Sequence, residues 1–242
     1  MSDSIHLHNL TRREFRERMA DGELQLCILP VAAIEQHLEH MAMEHDWRSV
    51  SVVAEKVAEA LSPQALVASG IMAGISEHHM THAGTLSLRP ATFLAVLNDL
   101  IRSVTVAGFE NVLVLNGHGG NVAPVGGVWD QFLREFRDTN LHFMSYWDVY
   151  TADDARELLD SGERLPEDLP GHAQEFETSV GLAAFPENVR TEMWQDQVDQ
   201  KPAMASAAKG EAFLERAVER LTAVAEEIIS GQRRSELPPF HP

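Results

Sequence analysis

The sequence has 242 residues, of which 44% are hydrophobic, and its 19 Lys and Arg against 37 Asp and Glu give a formal net charge of -18. This length and apolar content are sufficient for the core of one large α/β domain. The acidic balance argues against nucleic acid or an anionic membrane as the main partner, because both require clustered Lys and Arg.

The first part of the chain alternates helical and strand-like patterns. Residues 11–14 have the capping-box pattern that opens a short helix. The apolar run at 24–33 is typical of a strand buried on both faces, and it contains the single cysteine, which we expect to be buried and inert. A helical period follows over 49–61, and a second strand is predicted over 65–72.

The same alternation continues in the middle of the chain. Arg89 and Pro90 begin a long helix that Gly108 ends, and residues 111–115 form a short apolar strand. A helix over about 125–137 and a strand over 141–146 follow. Strands that alternate with helices predict the α/β class, with a central, mostly parallel sheet flanked by helices on both faces.

The last third of the chain is more polar. The acidic segment 153–170 is too polar for a core, and we predict a lid or an oligomer contact around 150–170. An apolar helix that ends at Phe185, an amphipathic helix over 205–229 and an extended tail at 237–239 complete the prediction. Without a dividing linker, we expect one compact domain over residues 1–242.

Signals for export or membrane insertion are missing from the sequence. Residues 1–6 have no basic region that leads into an apolar one, and no segment approaches about eighteen uninterrupted apolar residues. We therefore expect a soluble cytoplasmic protein that does not bind a membrane.

Polar groups follow three of the predicted strands, as Glu35 and His37, Glu77 and His78, and His118. Because parallel strands have their carboxyl ends at one edge of the sheet, we expect these side chains to converge there. Each of them taken alone is more often an ordinary surface residue. Their occurrence after successive strands favours a ligand site.

The residue types indicate a metal centre. Carboxylates and imidazoles suit Zn²⁺ or Mn²⁺. Glu35 and His37 point the same way on an extended chain and could serve two metals about 3.5–4 Å apart, with Asp46 as the bridging carboxylate. His118 lies among glycines that allow close approach, whereas a phosphate-binding loop there is the weaker interpretation because no Lys or Ser/Thr follows in register.

The sequence resembles the creatininase family of metal-dependent amidohydrolases. Three spaced blocks carry the resemblance, namely Glu35-x-His37 with Asp46, NGHGGN at 116–121 and HAQEFETS at 172–179, together with GTLSL at 84–88. The resemblance implies a two-metal centre and a homo-oligomer that is often a hexamer. It also implies that Glu35, Asp46 and His118 hold one ion, and that His37 with bridging Asp46 holds the other.

This chain departs from the family pattern at two places. Creatininase proper has a Glu where this chain has Gly120, and relatives with the same NGHGGN block look as though they use a later Glu, here Glu177. The departure argues against creatinine as the substrate. The family's Gly-Pro-His-Leu-Pro loop is replaced over 38–45, so we expect substrate preference to lie there.

As a hypothesis, a water that bridges the two ions attacks a carbonyl, and His172 gives a proton to the leaving atom. Glu177 is assigned to a metal and to catalysis. Further residues have weaker assignments: we predict substrate contacts from Glu77, His78, Gly119, Arg48 and Trp147, although a surface salt bridge is an equal alternative for Arg48, and we leave open Glu39, His40, Glu44, His45, His79, His82 and Glu175.

The substrate is expected to be a small molecule. The leading hypothesis is hydrolysis of a small polar cyclic amide. The alternative is hydrolysis of a carbon–carbon bond in a cyclic ketone such as an oxidised inositol. A rival from another class is a non-catalytic metal-binding oligomer, whose site would be closed, whereas a catalytic site keeps an open coordination position.

Overall fold

The structure is a computed structural model that describes residues 4–165 and 170–238. Four strands form its sheet, and they are β1 Leu26–Val31, β2 Ala65–Val67, β3 Asn111–Asn116 and β4 Asn140–Ser145. Eight α-helices surround the sheet within these residues, and they are α1 Arg12–Ala20, α2 His45–Ala60, α3 Pro90–Val106, α4 Gly119–Gly126, α5 Trp129–Glu135, α6 Ala152–Leu158, α7 Glu175–Ala184 and α8 Ala207–Ile229.

The sheet is parallel throughout and has the strand order β2-β1-β3-β4. Successive residues of β1 alternate between two apolar cores. Leu26 and Ile28 pack with α2, α7 and α8 on one face, whereas Cys27 and Leu29 pack with α3 and α5 on the other. The predicted α/β class, with a parallel sheet covered on both faces, is confirmed.

The second strand is shorter than predicted. Pairing stops at Val67 and returns only as an isolated bridge between Ile71 and Val31. The chain passes so close to β1 at Gly70 that a Cβ there would lie 1.6 Å from the carbonyl oxygen of Pro30. Only glycine fits at this close approach, three residues after the ladder ends.

The predicted helix over 125–137 is two helices. The first begins at Gly119, directly after the predicted metal ligand His118, and ends at Gly126, and the second begins only at Trp129. Two consecutive glycines at 126 and 127 have low helix propensity, which explains the break. The predicted helix over 49–61 begins four residues earlier than expected, at His45, so that Asp46 lies in its first turn.

Part of the acidic segment 153–170 is buried, contrary to the sequence-based expectation. Thr151 and Asp154 form a capping box at the start of α6, and the Asp154 side chain is only 3% exposed. Its carboxylate accepts hydrogen bonds from Arg216 at 2.6 Å and from Arg220 at 2.5 Å and 3.0 Å. Two arginines of α8 thus neutralise this buried charge.

Parts of two predictions lie outside the described residues, namely 166–169 of the proposed lid or oligomer contact and the last residue of the predicted tail at 239. The lid role and the single-domain prediction remain expectations. Among the helices of the described ranges, we find none whose length and apolar character would let it cross a bilayer.

Candidate metal centre

Five buried side chains meet at the carboxyl edge of the sheet, and they are the five metal ligands expected from the sequence. Glu35 and His37 follow β1, His118 follows β3, and Asp46 and Glu177 lie in the first turns of α2 and α7. Their relative exposures run from 0% to 8%. The positive end of each helix dipole favours a carboxylate in the first turn, which explains the placement of Asp46 and Glu177.

Asp46 lies between the two halves of the cluster. Its Oδ2 is 2.8 Å from His118 Nδ1, and its Oδ1 is 3.0 Å from His37 Nε2. On the first side, Glu35 Oε1 is 3.5 Å from His118 Nδ1; on the second, Glu177 Oε2 is 3.9 Å from His37 Nε2. One carboxylate therefore faces two separate sets of ligand atoms.

Backbone carbonyls determine which nitrogen of each imidazole faces the cluster. His118 Nε2 donates to the carbonyl of Ile75 at 3.0 Å, and His37 Nδ1 donates to the carbonyl of Glu35 at 3.0 Å. The opposite nitrogen of each ring is directed at Asp46, and it is the nitrogen that would lose its proton to bind a metal ion. This is the arrangement that metal-binding histidines adopt.

The electrostatics of the cluster favour a bound cation. Burial and the nearby Asp46 charge raise the pKa of Glu35, and the same two causes raise the pKa of Glu177 to about 8. Burial lowers the pKa of His37, but the Asp46 carboxylate outweighs it and raises that pKa to about 10. Asp46 is buried too, yet the adjacent imidazoles hold its pKa well below the ordinary value. Three buried carboxylates thus require nearby positive charge to be stable in their ionised form, and divalent cations would supply that charge.

The donor atoms fit Zn²⁺ or Mn²⁺, since all of them are carboxylate oxygens or imidazole nitrogens. Four sets of three side chains have ligand atoms within 4.8 Å of one another, and they are Glu35, His37 and Asp46; His37, His172 and Glu177; Glu35, His78 and His118; and Glu35, His79 and His172. The first three sets cover the two sides of Asp46.

A cavity of about 420 Å³ opens onto the cluster. Three of the predicted substrate contacts, His78, Gly119 and Trp147, lie in its wall, and so does the predicted acid His172. Burial and the charge on His37 lower the pKa of His172 to about 3. A larger groove of about 1030 Å³ between α2 and α8 is lined mainly by alkyl and glutamate side chains and is remote from this chemistry.

Two predicted substrate contacts do not line the cavity. Arg48 is directed away from it, because its guanidinium pairs with Glu187 at 2.9 Å and Glu44 at 3.4 Å and lies over the ring of Phe185. The salt-bridge alternative for Arg48 is therefore the one that its position supports. Glu77 is exposed, in a short 3-10 turn, Glu77–His79, whose histidines face the cavity instead.

Six of the seven residues left open by the sequence separate into two groups, and the seventh, Glu44, pairs with Arg48. His40, His45 and Glu175 are buried: His40 Nε2 contacts the Thr178 hydroxyl at 2.9 Å, and His45 Nε2 contacts the Ser49 hydroxyl at 3.2 Å. Glu175 accepts backbone N–H bonds from residues 160 and 161 and pairs with Lys209, so it fastens the preceding loop to α7. In the second group, Glu39 and His82 are exposed, whereas His79 lies in the cavity wall.

Gly120 lies too close to its neighbours to carry a side chain. A Cβ built there would lie 2.2 Å from the carbonyl oxygen of Ile75 and 2.5 Å from His118 Nε2. The backbone here has no room for a glutamate side chain. Glu177 approaches from the opposite wall instead and is held by the N–H of Ala173 at 2.6 Å.

Sequence reasoning missed Ser76, whose hydroxyl donates to Glu35 Oε2. It also missed the two backbone carbonyls that orient His37 and His118. A serine is too common, and a backbone carbonyl too uniform, for residue types alone to indicate either contact.

Comparison with known proteins gives one consistent family. The family model Creatininase, described as creatinine amidohydrolase, matches residues 8–204. Creatinine amidohydrolase of Pseudomonas putida is 33% identical over 199 residues, which cover 78% of this chain and 75% of that protein. The 3-dehydro-scyllo-inosose hydrolase of Thermotoga maritima is 30% identical over 201 residues, 82% of this chain and 61% of that protein. A mycofactocin precursor peptide peptidase of Mycobacterium tuberculosis is 30% identical over 179 residues, 69% of this chain and 62% of that protein.

Solved structures agree with the sequence relatives. A crystal structure of creatinine amidohydrolase is 30% identical, superposes with a TM-score of 0.81 and covers 94% of this chain and 99% of its own. Two further creatininase structures, a mutant of Zn-Zn type and a manganese form, are each 29% identical with TM-scores of 0.76; they cover 94% and 93% of this chain, respectively, and 99% of their own chains.

Proposed function

Because this chain belongs to the creatininase family and is a hydrolase, we propose that it opens or cleaves a small polar cyclic amide, with two divalent ions as cofactors. The observation that carries the proposal is the placement of Asp46. Its two oxygens lie 2.8 Å and 3.0 Å from imidazole nitrogens on opposite sides, so one carboxylate could contact both ions. Zinc or manganese fits this donor set.

The proposed ligands divide into two sets about that carboxylate. Glu35 and His118 would hold the ion on one side of Asp46, and His37 and Glu177 would hold the ion on the other. Bound ions would supply Lewis acidity, which polarises a carbonyl and makes water a nucleophile at neutral pH.

His172 is the residue that we propose to move the proton. Hydrolysis of an amide requires one proton of the attacking water to replace the bond to the leaving nitrogen. An imidazole N–H in the cavity wall could give its proton to that nitrogen and take the proton of the water in return. The His172 ring lies 4.5 Å from the ring of His37, and its Nδ1 is 3.6 Å from Glu35 Oε1. Its side chain is 29% exposed and lies in the cavity wall, where a bound substrate could meet it.

The size of the site supports a small substrate. A cavity of about 420 Å³ is at the lower end of the range for small-molecule pockets. Trp147 and Gly119 would border the substrate, and we propose His78 as a polar contact. Within the segment 38–45, the ring of His45 lies 5.1 Å from that of His37. We propose that this segment modulates substrate preference through the proposed ligands that it contacts.

A second candidate function is hydrolysis of a carbon–carbon bond in a polar cyclic ketone. The inosose hydrolase of Thermotoga maritima, 30% identical over 82% of this chain, favours it. The same side chains would serve, with the proton delivered by His172 to carbon instead of nitrogen. We also propose that the chain forms a homo-oligomer, which light scattering of the purified protein would test.

The test is an assay of the zinc- and the manganese-loaded protein on lactams, cyclic ureas, inososes and a linear peptide. Ring opening of a lactam or cyclic urea, abolished by Asp46→Asn but retained by Asp138→Asn, is the expected result. Asp138 is an exposed carboxylate just before β4, at the opposite edge of the sheet. Turnover of inososes alone would establish the second candidate, and turnover of the peptide alone would contradict both. No turnover, with ions that only protein atoms coordinate, would favour a structural metal site.

A further inference from the structure

Gln36 lies between two proposed ligands in sequence and joins two imidazoles of the cavity wall. Its Nε2 is 2.9 Å from His79 Nδ1 and 2.8 Å from His172 Nε2. The two rings are stacked, with centroids 4.3 Å apart and planes at 25°. One amide group therefore contacts both histidines at once.

The backbone fixes which end of this amide faces the rings. The N–H of Leu38 donates to Gln36 Oε1 at 3.0 Å. A backbone N–H can only donate, so the atom that it meets is the amide oxygen, and the NH₂ group must be the end that faces the histidines. Its two protons are then available for the two ring nitrogens.

Donation by Gln36 determines where each ring carries its proton. His79 Nδ1 and His172 Nε2 must accept, so neither nitrogen is protonated. In a neutral imidazole the proton then lies on the other nitrogen, which is Nε2 in His79 and Nδ1 in His172. These two N–H groups point toward Glu35 Oε1, at 3.8 Å and 3.6 Å from it.

The proposed ligands His37 and His118 have the opposite polarity. Each of them donates its outer N–H to a backbone carbonyl, so the nitrogen that faces the cluster is the one that can give up its proton to a metal ion. At His79 and His172, the outer nitrogen instead faces a hydrogen-bond donor, the NH₂ group of Gln36. Glu35, His79 and His172 thus have ligand atoms within 4.8 Å of one another, but both imidazoles present protons to that space.

We propose that Gln36 holds His79 and His172 as a pair of N–H donors that bind one oxygen atom of the substrate, and that it thereby prevents a further metal ion from binding at Glu35, His79 and His172. The inference rests on the proposed hydrolase function for the substrate oxygen, a hydroxyl or carbonyl oxygen. His79 becomes a substrate-binding residue, and Gln36 becomes a positioning residue that acts through both rings.

A neutron crystal structure of the deuterated, zinc-loaded protein tests the proton positions directly. We expect deuterium on His79 Nε2 and His172 Nδ1 and none on His79 Nδ1 or His172 Nε2. Deuterium on either of the latter two atoms would overturn the proposal. The result does not depend on any substrate, so it stands apart from the success or failure of the proposed function.

Gln36→Glu reverses the polarity while it preserves the shape and the bond from Leu38. A carboxylate would accept from both rings and turn their lone pairs toward Glu35, which opens the set Glu35, His79 and His172 to zinc. After parallel dialysis against zinc, elemental analysis should find one more ion per chain in Gln36→Glu than in the unmodified protein. The excess should disappear in the double variant Gln36→Glu/His79→Ala. The inference would be overturned if folded Gln36→Glu bound the same amount of zinc as the unmodified protein. It would also be overturned if the single variant His79→Ala bound one ion fewer than the unmodified protein.

Kinetics on whichever substrate is turned over provide a further readout. His79→Ala removes one of two neutral hydrogen bonds and should raise KM about tenfold, with a smaller effect on kcat and an unchanged zinc content. An unchanged KM would refute the role of His79 in binding the substrate.

Discussion

Replacement of Asp46 by Asn should remove both metal ions at once. The substitution keeps the size of the side chain and removes the charge that faces both His37 and His118. Glu177→Gln should weaken only the ion beside His37, because Glu177 lies 3.9 Å from that imidazole, on the side of Asp46 away from His118. The two variants therefore distinguish a bridging carboxylate from an ordinary ligand.

The expected effect can be expressed as a change in thermal stability. At a free zinc concentration of about 100 times Kd, each bound ion adds about 2.7 kcal/mol to the free energy of unfolding. For a chain of this size that is roughly 5–11 °C in Tm per ion. Loss of a residue that merely supports a ligand costs about 10–100-fold in affinity, so loss of a ligand should cost at least about 100-fold. About 0.4 kcal/mol per site, or 1–2 °C, would then remain.

Differential scanning calorimetry with and without zinc, together with isothermal titration, measures both quantities. Asp138→Asn, an exposed carboxylate substitution, should keep the full increase in Tm and is the matched control. The reasoning is refuted if Asp46→Asn retains either ion with an affinity within tenfold of the unmodified chain.

Three further predictions concern the proton carrier, the glycine beside His118 and the buried Asp154. His172→Ala should keep its metal content and lose about 10²–10⁴ in kcat, and full activity would exclude a role in proton transfer. Gly120→Ala should destabilise the fold by about 1–3 kcal/mol in denaturant melts and weaken zinc binding, since its Cβ would lie 2.2 Å from the Ile75 carbonyl, whereas Gly126→Ala, with nothing within 4 Å, should do neither. Arginine contacts and the helix cap lower the pKa of Asp154 below its ordinary 3.8 despite burial, so its contribution is present above pH 3.8 and is lost as the pH falls further. Asp154→Asn should cost about 2 kcal/mol at pH 7, less than in a fully buried pair because the arginines are partly exposed, and a cost that persists undiminished at pH 2–3 would contradict this account.

Much of the site follows from chain order because parallel strands end at one edge. Glu35, His37 and His118 directly follow β1 and β3, so the topology alone brings them together. Glu177 has no such signal, since it enters from a helix far along the chain. Its place was expected only through the resemblance to a known family.

Two predicted substrate contacts lie outside the cavity wall for a common physical reason. Arg48 and Glu77 have the right chemistry near the right motifs, but periodicity does not determine which way a side chain points within a loop or a first helical turn. The ion pair between Arg48 and Glu187 forms only in the folded structure. The same is true of the 3-10 turn at Glu77–His79, which directs Glu77 away from the cavity. The division of the helix at Gly126 and Gly127 was visible in the sequence, because paired glycines are poor helix formers.

The buried network around the site could not have been predicted from residue types. Ser76, Gln36 and the carbonyl of Ile75 act through the direction in which they donate or accept a hydrogen bond. That direction depends on backbone geometry, such as the positive φ of 53° at both Leu38 and Ala173. Composition and motif spacing therefore do not predict the direction of these hydrogen bonds.

The central claim, a two-metal centre divided by Asp46, is tested most directly by anomalous diffraction from zinc-soaked crystals at the zinc edge. We predict two peaks about 3.5–4 Å apart, one beside His118 Nδ1 and one beside His37 Nε2, with an Asp46 oxygen next to each and an open position facing the cavity. A single peak, or an ion enclosed entirely by protein ligands, would contradict the account.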